Sequence, residues 1–164
     1  MRIFTVLVSA VVLGLSTPVS AQTIEPVSYS PEFQTALEDD LGEREGTYLQ
    51  ETLTRFVTQA LAARGVDNRN VSIELSIVNA RPNRPTFEQA ANTPGLDSFR
   101  SISIGGAELH GVVRDANGAV IANVEHRYYS PDLWLASQSG DTWGDARRAM
   151  RRFATKVADA VAAS

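Results

Sequence analysis

The chain has 164 residues, a formal net charge of −4 and no cysteine. The acidic balance argues against nucleic acid as the main partner, because nucleic-acid-binding proteins present a basic surface. Without a thiol, the chain has no cysteine nucleophile, no redox pair and no zinc–thiolate site. A hydrophobic share of 43% over this length can build the core of one domain without disulfides.

The first 21 residues have the pattern of a secretory signal peptide. Arg2 supplies a positive charge, residues 3–15 are almost wholly apolar, and small residues lead up to Ala21. We therefore expect cleavage after Ala21 and a mature single domain of residues 22–164. No cysteine follows that point, so we expect no lipid anchor, and the lack of disulfides favours the bacterial periplasm. No other apolar run approaches the ~20 residues of a transmembrane helix.

The mature chain begins with a weak strand signal over residues 23–29. Ser30 is typical of a helix start, because serine caps the backbone and the proline after it suits the first helical turn. The resulting short helix over residues 31–41 is interrupted by Gly42 and Gly46. A longer amphipathic helix is then predicted to begin at a Thr47–Gln50 capping box and to end at Gly65.

Residues 71–77 alternate apolar and polar side chains, which predicts a strand with one face in water. Residues 79–96 contain three prolines and predict a long structured connection with one helical turn rather than a strand. Connections of this length in a compact domain are often functional or disordered.

Two further strands are predicted over residues 101–115 and 119–129, with a bulge at Gly105-Gly106 and a two-residue turn at Asn117-Gly118. Such a turn fixes the pairing register. It gathers apolar side chains on one face and places opposite charges together on the other. The charged partners are Glu108 with Arg127 and His110 with Glu125, and His126 falls on the apolar face.

Residues 130–140 predict a loop, and Thr142 with Asp145 predicts the capped start of a final helix. That helix has an alanine-rich apolar stripe and a basic opposite arc, which is either a solvated face or a contact for lipid phosphates. The order of elements is β-α-β-β-β-α. It predicts an α+β two-layer sandwich, with helices on one face of a mainly antiparallel sheet.

Catalytic signatures are lacking from the sequence. There is no G-x-S-x-G elbow, no H-E-x-x-H and no P-loop. The two histidines, His110 and His126, are predicted on opposite hairpin faces, which favours structural roles over a metal pair. The adjacent acids Asp39 and Asp40 point in different directions on a helix. We therefore predict no catalytic residues, no metal site and no cofactor.

Two segments are candidate binding surfaces. Arg81 and Arg84 flank prolines that stiffen the backbone, so little entropy is lost when they dock on a partner. At this spacing in a polyproline-like segment, both guanidinium groups return to one side and suit a carboxylate or phosphate. Tyr128, Tyr129 and Trp134 predict an aromatic surface beside a proline turn. Both segments also fit ordinary strand connections.

Several motifs resemble an uncharacterised family of exported proteobacterial proteins. They are the loop Arg81-Pro82-Asn83-Arg84-Pro85-Thr86-Phe87, the segment Ser103-Ile104-Gly105-Gly106-Ala107, and Trp143-x-Asp145-Ala146 leading to Arg152-Phe153-Ala154. The resemblance covers nearly all of the mature chain. The element order is also similar to transporter-auxiliary lipoproteins and to the TolB amino-terminal domain, which implies a non-enzymatic envelope module. This chain lacks the anchoring cysteine of those lipoproteins.

These observations predict a non-catalytic periplasmic binding or accessory domain that contacts another envelope protein or a lipid-linked ligand. A small secreted hydrolase using an acid and a histidine, or a purely structural envelope protein, are the alternatives. The missing nucleophile motifs favour binding over catalysis. The basic helix and the arginine–proline loop favour binding over an inert structural role. The oligomeric state is left open.

Overall fold

The computed structural model describes residues 22–164. The expected signal peptide and its cleavage after Ala21 therefore lie outside the described residues. The elements follow in chain order: β1 (Thr23–Ile24), β2 (Ser28–Tyr29), α1 (Pro31–Ala36), a π-helical segment (Leu37–Leu41), α2 (Glu43–Ala63), β3 (Ser72–Arg81), α3 (Phe87–Asn92), β4 (Gly106–Arg114), β5 (Val120–Tyr129), α4 (Leu133–Ser137) and α5 (Gly144–Ala163).

The predicted α+β sandwich is confirmed. The sheet has the order β1-β3-β4-β5, and β2 also pairs with β3. The three long strands β3, β4 and β5 pair antiparallel with one another, whereas the two short strands β1 and β2 run parallel to β3. Helix α5 packs across β4 and β5, and α2 packs against α5. Within residues 22–164, no helix is both long enough and apolar enough to cross a membrane.

The core lies between α5, α2 and the apolar face of the sheet. Its fully buried side chains occupy the apolar positions of the alternating strands and of the amphipathic helices that the sequence predicts. They include Leu49, Leu53, Val57 and Leu61 of α2, Ile73, Leu75 and Ile77 of β3, Leu109 and Val113 of β4, and Met150, Phe153 and Val157 of α5.

The two glycines predicted as helix breaks behave differently. Gly42 has a φ of 95° and precedes α2, so it does end the first helical segment. Gly46 lies inside α2, which begins at Glu43, and the predicted start at Thr47 is therefore wrong. A Cβ at Gly46 would come within 2.8 Å of the Tyr29 hydroxyl. Close packing against the strand, rather than a helix break, explains the glycine.

Strand β3 is longer than predicted and includes residues assigned to the connection. It continues to Arg81 through a register shift between Ile77 and Asn79. After the shift Ala80 pairs with Ala107 and is only 3% exposed. The extra residue breaks the alternation that the sequence pattern relied on, because a bulge returns the following side chains to the opposite register.

The predicted register of the β4–β5 hairpin is confirmed, but the predicted two-residue turn is wrong. Glu108 pairs with Arg127 and His110 with Glu125, as predicted. The Asp115 amide donates to the Ala119 carbonyl at 2.9 Å, so three residues form the loop instead of two. A second shift between Val113 and Arg114 compensates for the extra loop residue. The predicted strand over residues 101–115 starts only at Gly106.

The C-terminal region also begins differently from the prediction. The predicted loop over residues 130–140 contains α4, whose first turn is capped when Asp132 accepts a hydrogen bond from the Leu135 amide at 2.8 Å. The predicted Thr142–Asp145 cap of the final helix is wrong. Trp143 occupies the cap position of α5, and Asp145 is fully buried in a tertiary cluster.

Candidate functional site

A groove of about 950 Å³ lies at the end of β3. Its floor is the last part of β3, from Val78 to Arg81. One wall is α1 with the π-helical segment, and the other wall is the connection of residues 82–104. We call it the β3 groove. Its apolar lining consists of Phe33, Ala36, Leu41, Val78, Ala80, Pro82, Pro85, Leu96, Ile102 and Ile104.

The local sequence explains how the first wall forms. The Ser30 hydroxyl accepts a hydrogen bond from the Phe33 amide at 3.1 Å and donates to the Val78 carbonyl at 2.8 Å. The same side chain therefore caps α1 and attaches it to β3. Pairing of β2 with β3 reaches Ile77 and stops there, because the chain turns into α1. The groove opens where β2 no longer covers β3.

The second wall is anchored by a buried asparagine. Asn83 is fully buried, and its side-chain carbonyl accepts from the Asp145 amide at 3.0 Å while its amide donates to the Asp145 carboxylate at 2.6 Å. The Asn83 backbone amide also donates to the Thr142 carbonyl at 2.7 Å. Asn83 thus supplies the N-terminal cap that α5 lacks locally, from a position distant in the sequence.

Asp145 and its partners form a buried polar cluster, in which its carboxylate accepts hydrogen bonds from several other side chains. The Ser130 hydroxyl donates at 2.5 Å, the Ser139 hydroxyl at 3.0 Å, and Arg148 forms an ion pair at 3.1 Å. A buried carboxylate is tolerated only when it is paired and hydrogen-bonded, and these partners satisfy both oxygens. The cluster fastens the connection, the end of β5 and α5 together.

The rest of the second wall is held by shorter contacts. The Ser103 amide donates to the Asn83 carbonyl at 2.9 Å, which returns the chain alongside its own beginning. Thr86 and Gln89 form a reciprocal capping box at the start of α3. Gln89 also donates to Asp40 at 2.7 Å, so α3 is tied to the opposite wall. The groove therefore has fixed walls.

The exposed part of this wall is strongly apolar. Phe87 is 78% exposed and Phe99 is 85% exposed, and Leu96, Ile102 and Ile104 are each partly exposed where they line the groove. Leu96, Ile102 and Ile104 share the lining of the β3 groove, and clustered exposed apolar side chains, unlike scattered ones, mark interaction sites. Phe87 lines a separate depression beside the start of α2, and Phe99 lines neither.

The charged groups in the groove are mostly acidic. Glu32, Asp40 and Glu108 line it, against the single guanidinium of Arg81. Arg81 lies over the ring of Tyr129 at 5.5 Å, and Glu108 pairs with Arg127 at 3.6 Å. Carboxylates therefore outnumber guanidinium groups among the lining side chains, which favours a cationic occupant.

The structure separates the two arginines predicted to act together. Arg81 ends β3 and lines the groove. Arg84 lies beyond the buried Asn83 and donates a hydrogen bond to the carbonyl of Phe99. Arg84 thus makes an internal contact with a backbone carbonyl, which fits the alternative of an ordinary strand connection.

The three predicted aromatic residues do not share one surface. Tyr128 lies on the helix-covered face, where Arg148 donates to its hydroxyl at 3.1 Å and Arg152 lies 4.8 Å from its ring. Tyr129 follows on the opposite face, and burial raises its pKa. Trp134 is on α4 and is 72% exposed. Adjacent strand residues point to opposite faces, so the pair cannot form a continuous platform.

The histidines lie on opposite faces of the hairpin, as predicted from the register. Burial, with Lys156 and Arg152 nearby, lowers the pKa of His126. Its Nε2 atom is buried without a hydrogen-bond partner among the described residues. No group of three or more histidines and acids in residues 22–164 is placed to hold a metal ion.

Sequence reasoning missed Asn83 and Asp145, which define the second wall, and the apolar residues Leu96, Ile102 and Ile104. The available signal was an asparagine enclosed by two prolines and an isolated acid between aromatic and alanine residues. Neither pattern identifies a tertiary contact by itself.

In comparisons with known proteins, the chain matches no family model, no curated protein and no solved structure.

Proposed function

We propose that the protein is a non-catalytic binding domain of the cell envelope, and that the β3 groove holds an extended segment of another envelope protein. The signal-peptide pattern of the first 21 residues supports the location. The observation that carries the binding role is the groove itself, about 950 Å³ with fixed walls and an apolar lining. Pockets of this size and lining are typical ligand sites.

The floor of the groove suits a peptide backbone. Within β3, the Ile77 carbonyl accepts from the Ser30 amide, on the side of the strand where β2 ends. Beyond that point the same edge of β3 has no strand partner among residues 22–164. An extended segment can continue where β2 stops, because a strand edge offers backbone donors and acceptors to an added strand.

The charges that line the groove favour particular side chains in the bound segment. Glu32, Asp40 and Glu108 outnumber Arg81 in the groove, so a basic residue beside an aliphatic one matches the lining. A lipid-linked ligand is the weaker candidate, since its phosphate would meet these carboxylates. The basic arc of α5 offers little compensation. Arg148 and Arg152 lie against Tyr128, and Lys156 donates to the carbonyl of Glu125.

A hydrolytic role is less well supported than binding. It would need a histidine activated by an acid. His110 faces Glu125 across the hairpin, but no hydrogen bond joins a histidine to a carboxylate among the described residues. Burial, with Lys156 and Arg152 nearby, lowers the pKa of His126, and no acid is among the causes of this shift.

The test is a selection from a random-peptide library on residues 22–164, followed by affinity measurement of the enriched sequences. Ile102→Lys adds positive charge at the groove, where Ile102 is 40% exposed. Ile121→Lys is the matched control, since Ile121 is 37% exposed on β5, away from the groove.

We expect enriched peptides to combine aliphatic and basic residues and to bind the unmodified chain and Ile121→Lys equally. Binding to Ile102→Lys should fall at least tenfold. If no peptide is enriched, or if both variants bind alike, the groove is not a peptide site and the proposal is wrong.

A further inference from the structure

Strand β5 forms the edge of the sheet opposite the β3 groove. It contains ten residues and pairs only with β4 among the described residues. The Ser130 amide donates to the Gly105 carbonyl at 3.0 Å. In an antiparallel ladder the backbone groups alternate in direction, so the even-numbered residues of β5 bond to β4 and the odd-numbered residues point outward.

A contact from α5 supports this assignment. Lys156 donates to the carbonyl of Glu125 at 3.3 Å, from the outer side of the strand. Asn123, Glu125, Arg127 and Tyr129 therefore direct their backbone N–H and C=O groups away from the sheet.

Proline, a central bulge and a covering segment, which prevent edge-to-edge association in many proteins, are missing from β5 among the described residues. Charged side chains, which also protect strand edges, are present as Glu125, Arg127 and Lys156, so a partner strand must match their charges. The one irregularity of β5 lies near the hairpin turn, before Ala122, and Pro131 comes only after the strand ends. The exposed ammonium group of Lys156 occupies one acceptor. From Ala122 to Tyr129 the strand is regular and paired on one side.

We propose that β5 pairs antiparallel with β5 of a second copy of this chain, which joins the two sheets into one across a two-fold axis. The sequence of the edge is complementary to itself. An axis through His126 places Glu125 of each copy opposite Arg127 of the other, on the outward-pointing positions that exchange backbone hydrogen bonds.

Neighbouring registers are disfavoured by charge. An axis through Glu125 places the two copies of this acid opposite each other, and an axis through Arg127 does the same for the guanidinium groups. Like charges directly opposite destabilise a strand pair, whereas opposite charges stabilise it. Only the axis through His126 therefore gives two ion pairs at the centre of the interface.

The contacts that pairing would replace are weak. The side chain of Arg127 is 72% exposed, and its ion pair with Glu108 spans 3.6 Å. The Lys156 bond to Glu125 would give way to the backbone amide of Arg127 in the second copy. His126 would face its own copy across the axis, where its buried Nε2 atom at present has no partner among the described residues.

The interface uses the edge of the sheet opposite the β3 groove, and one contact links the two sites, because Arg127 pairs with Glu108, which lines the groove. A dimer formed in this way leaves both grooves open. Ile102 lies in the groove and not on β5, so loss of peptide binding in Ile102→Lys is distinguishable from loss of dimerisation.

The experiment is sedimentation equilibrium of residues 22–164 over a wide concentration range, with Glu125→Arg, Arg127→Glu and the double variant. Each single reversal places two pairs of like charges at the interface. We expect the dimer to weaken on the order of tenfold or more, from the usual size of cross-strand charge pairs. The double variant exchanges the charges and should restore the dimer.

Mixing the two single variants gives the sharpest result. Their heterodimer recovers both opposite-charge pairs, so an equimolar mixture should dimerise where each variant alone does not. Glu74→Arg is the matched control, because it breaks an exposed cross-strand pair with Arg114 away from the edge. Unchanged circular dichroism spectra establish that each variant folds.

Three outcomes would overturn the proposal. The first is a monomer at every concentration. The second is a dimer that tolerates both single reversals, which would place the interface elsewhere. The third is a failure of both the double variant and the mixture to restore association, which would mean that Glu125 and Arg127 do not face each other.

Discussion

The two halves of the connection between β3 and β4 are built in opposite ways. Residues 82–86 are largely buried, with Asn83 and Thr86 at 0% and 1% exposure. Residues 87–104 carry Phe87 and Phe99 at 78% and 85% exposure. The first half is fixed to α5 by hydrogen bonds, and the second half holds apolar side chains beside the groove. The buried, proline-flanked part therefore supports the site, while the more exposed part forms its surface.

Removing the buried acid gives the largest effect on this arrangement. Asp145→Ala leaves Asn83, Ser130 and Ser139 without their acceptor, and we expect a loss of about 3–5 kcal/mol in the free energy of unfolding. Urea titration measures it. Asp159→Ala is the control, since it breaks only an exposed ion pair with Arg64 and should cost about 1 kcal/mol at most. Equal effects in the two variants would show that the cluster is not an anchor.

Adding a methyl group beside the buried Asn83 side chain is a second test of residues 82–86. A Cβ at Gly105 would lie 2.4 Å from the Asn83 side-chain oxygen. Because that side chain is held by Asp145, we expect Gly105→Ala to destabilise the protein by about 1–3 kcal/mol. Gly140→Ala meets nothing within 4 Å and should leave the melting temperature unchanged. A neutral Gly105→Ala would mean that Asn83 can move.

Substituting the two arginines one at a time distinguishes a contact within the connection, made by Arg84, from a charge on the floor of the groove, supplied by Arg81. Arg84→Ala removes a hydrogen bond to the Phe99 carbonyl, and we expect a loss of about 1 kcal/mol with little effect on peptide affinity. Arg81→Ala removes the one guanidinium of the groove, so a basic peptide should bind more tightly. Thermal unfolding and titration calorimetry measure these effects. Lost binding in Arg81→Ala would instead support the anionic partner that the sequence predicts.

The smallest expected effect is in the exposed half. Phe99 is 85% exposed, so Phe99→Ala should change the free energy of unfolding by no more than about 0.5 kcal/mol, as for most surface substitutions. Thermal unfolding at neutral pH is sufficient to detect a larger change. A loss comparable to that of Gly105→Ala would mean that the second half is structural as well.

Local patterns predicted the elements whose signal lies within a few neighbouring residues. Ser30 caps α1, the alternation of residues 71–77 lies in β3, and the charge pairs Glu108–Arg127 and His110–Glu125 fix the hairpin register. These features depend on spacing along one element or across one turn. For that reason the fold class was accessible from the sequence.

The site was less accessible because its defining contacts join distant parts of the chain. Asn83 and Asp145 are 62 positions apart, and nothing near either residue indicates the other. The sequence prediction placed its first candidate surface in the connection that borders the β3 groove, and one of its residues, Arg81, lines that groove. It could not foresee that Arg84 is used internally, or that Tyr128 and Tyr129 point to opposite faces, until the extent of the strands was known.

The cap that Asn83 provides for α5 has a consequence for the order of folding. A polypeptide is made from its N-terminus, so Asn83 exists long before Asp145 has been added to the chain. Contacts between distant residues form late, because the intervening segment must first be brought together. One wall of the groove therefore stays unanchored until the last helix has docked on the sheet. A chain interrupted before α5 would display its exposed apolar connection with one wall of the groove unanchored.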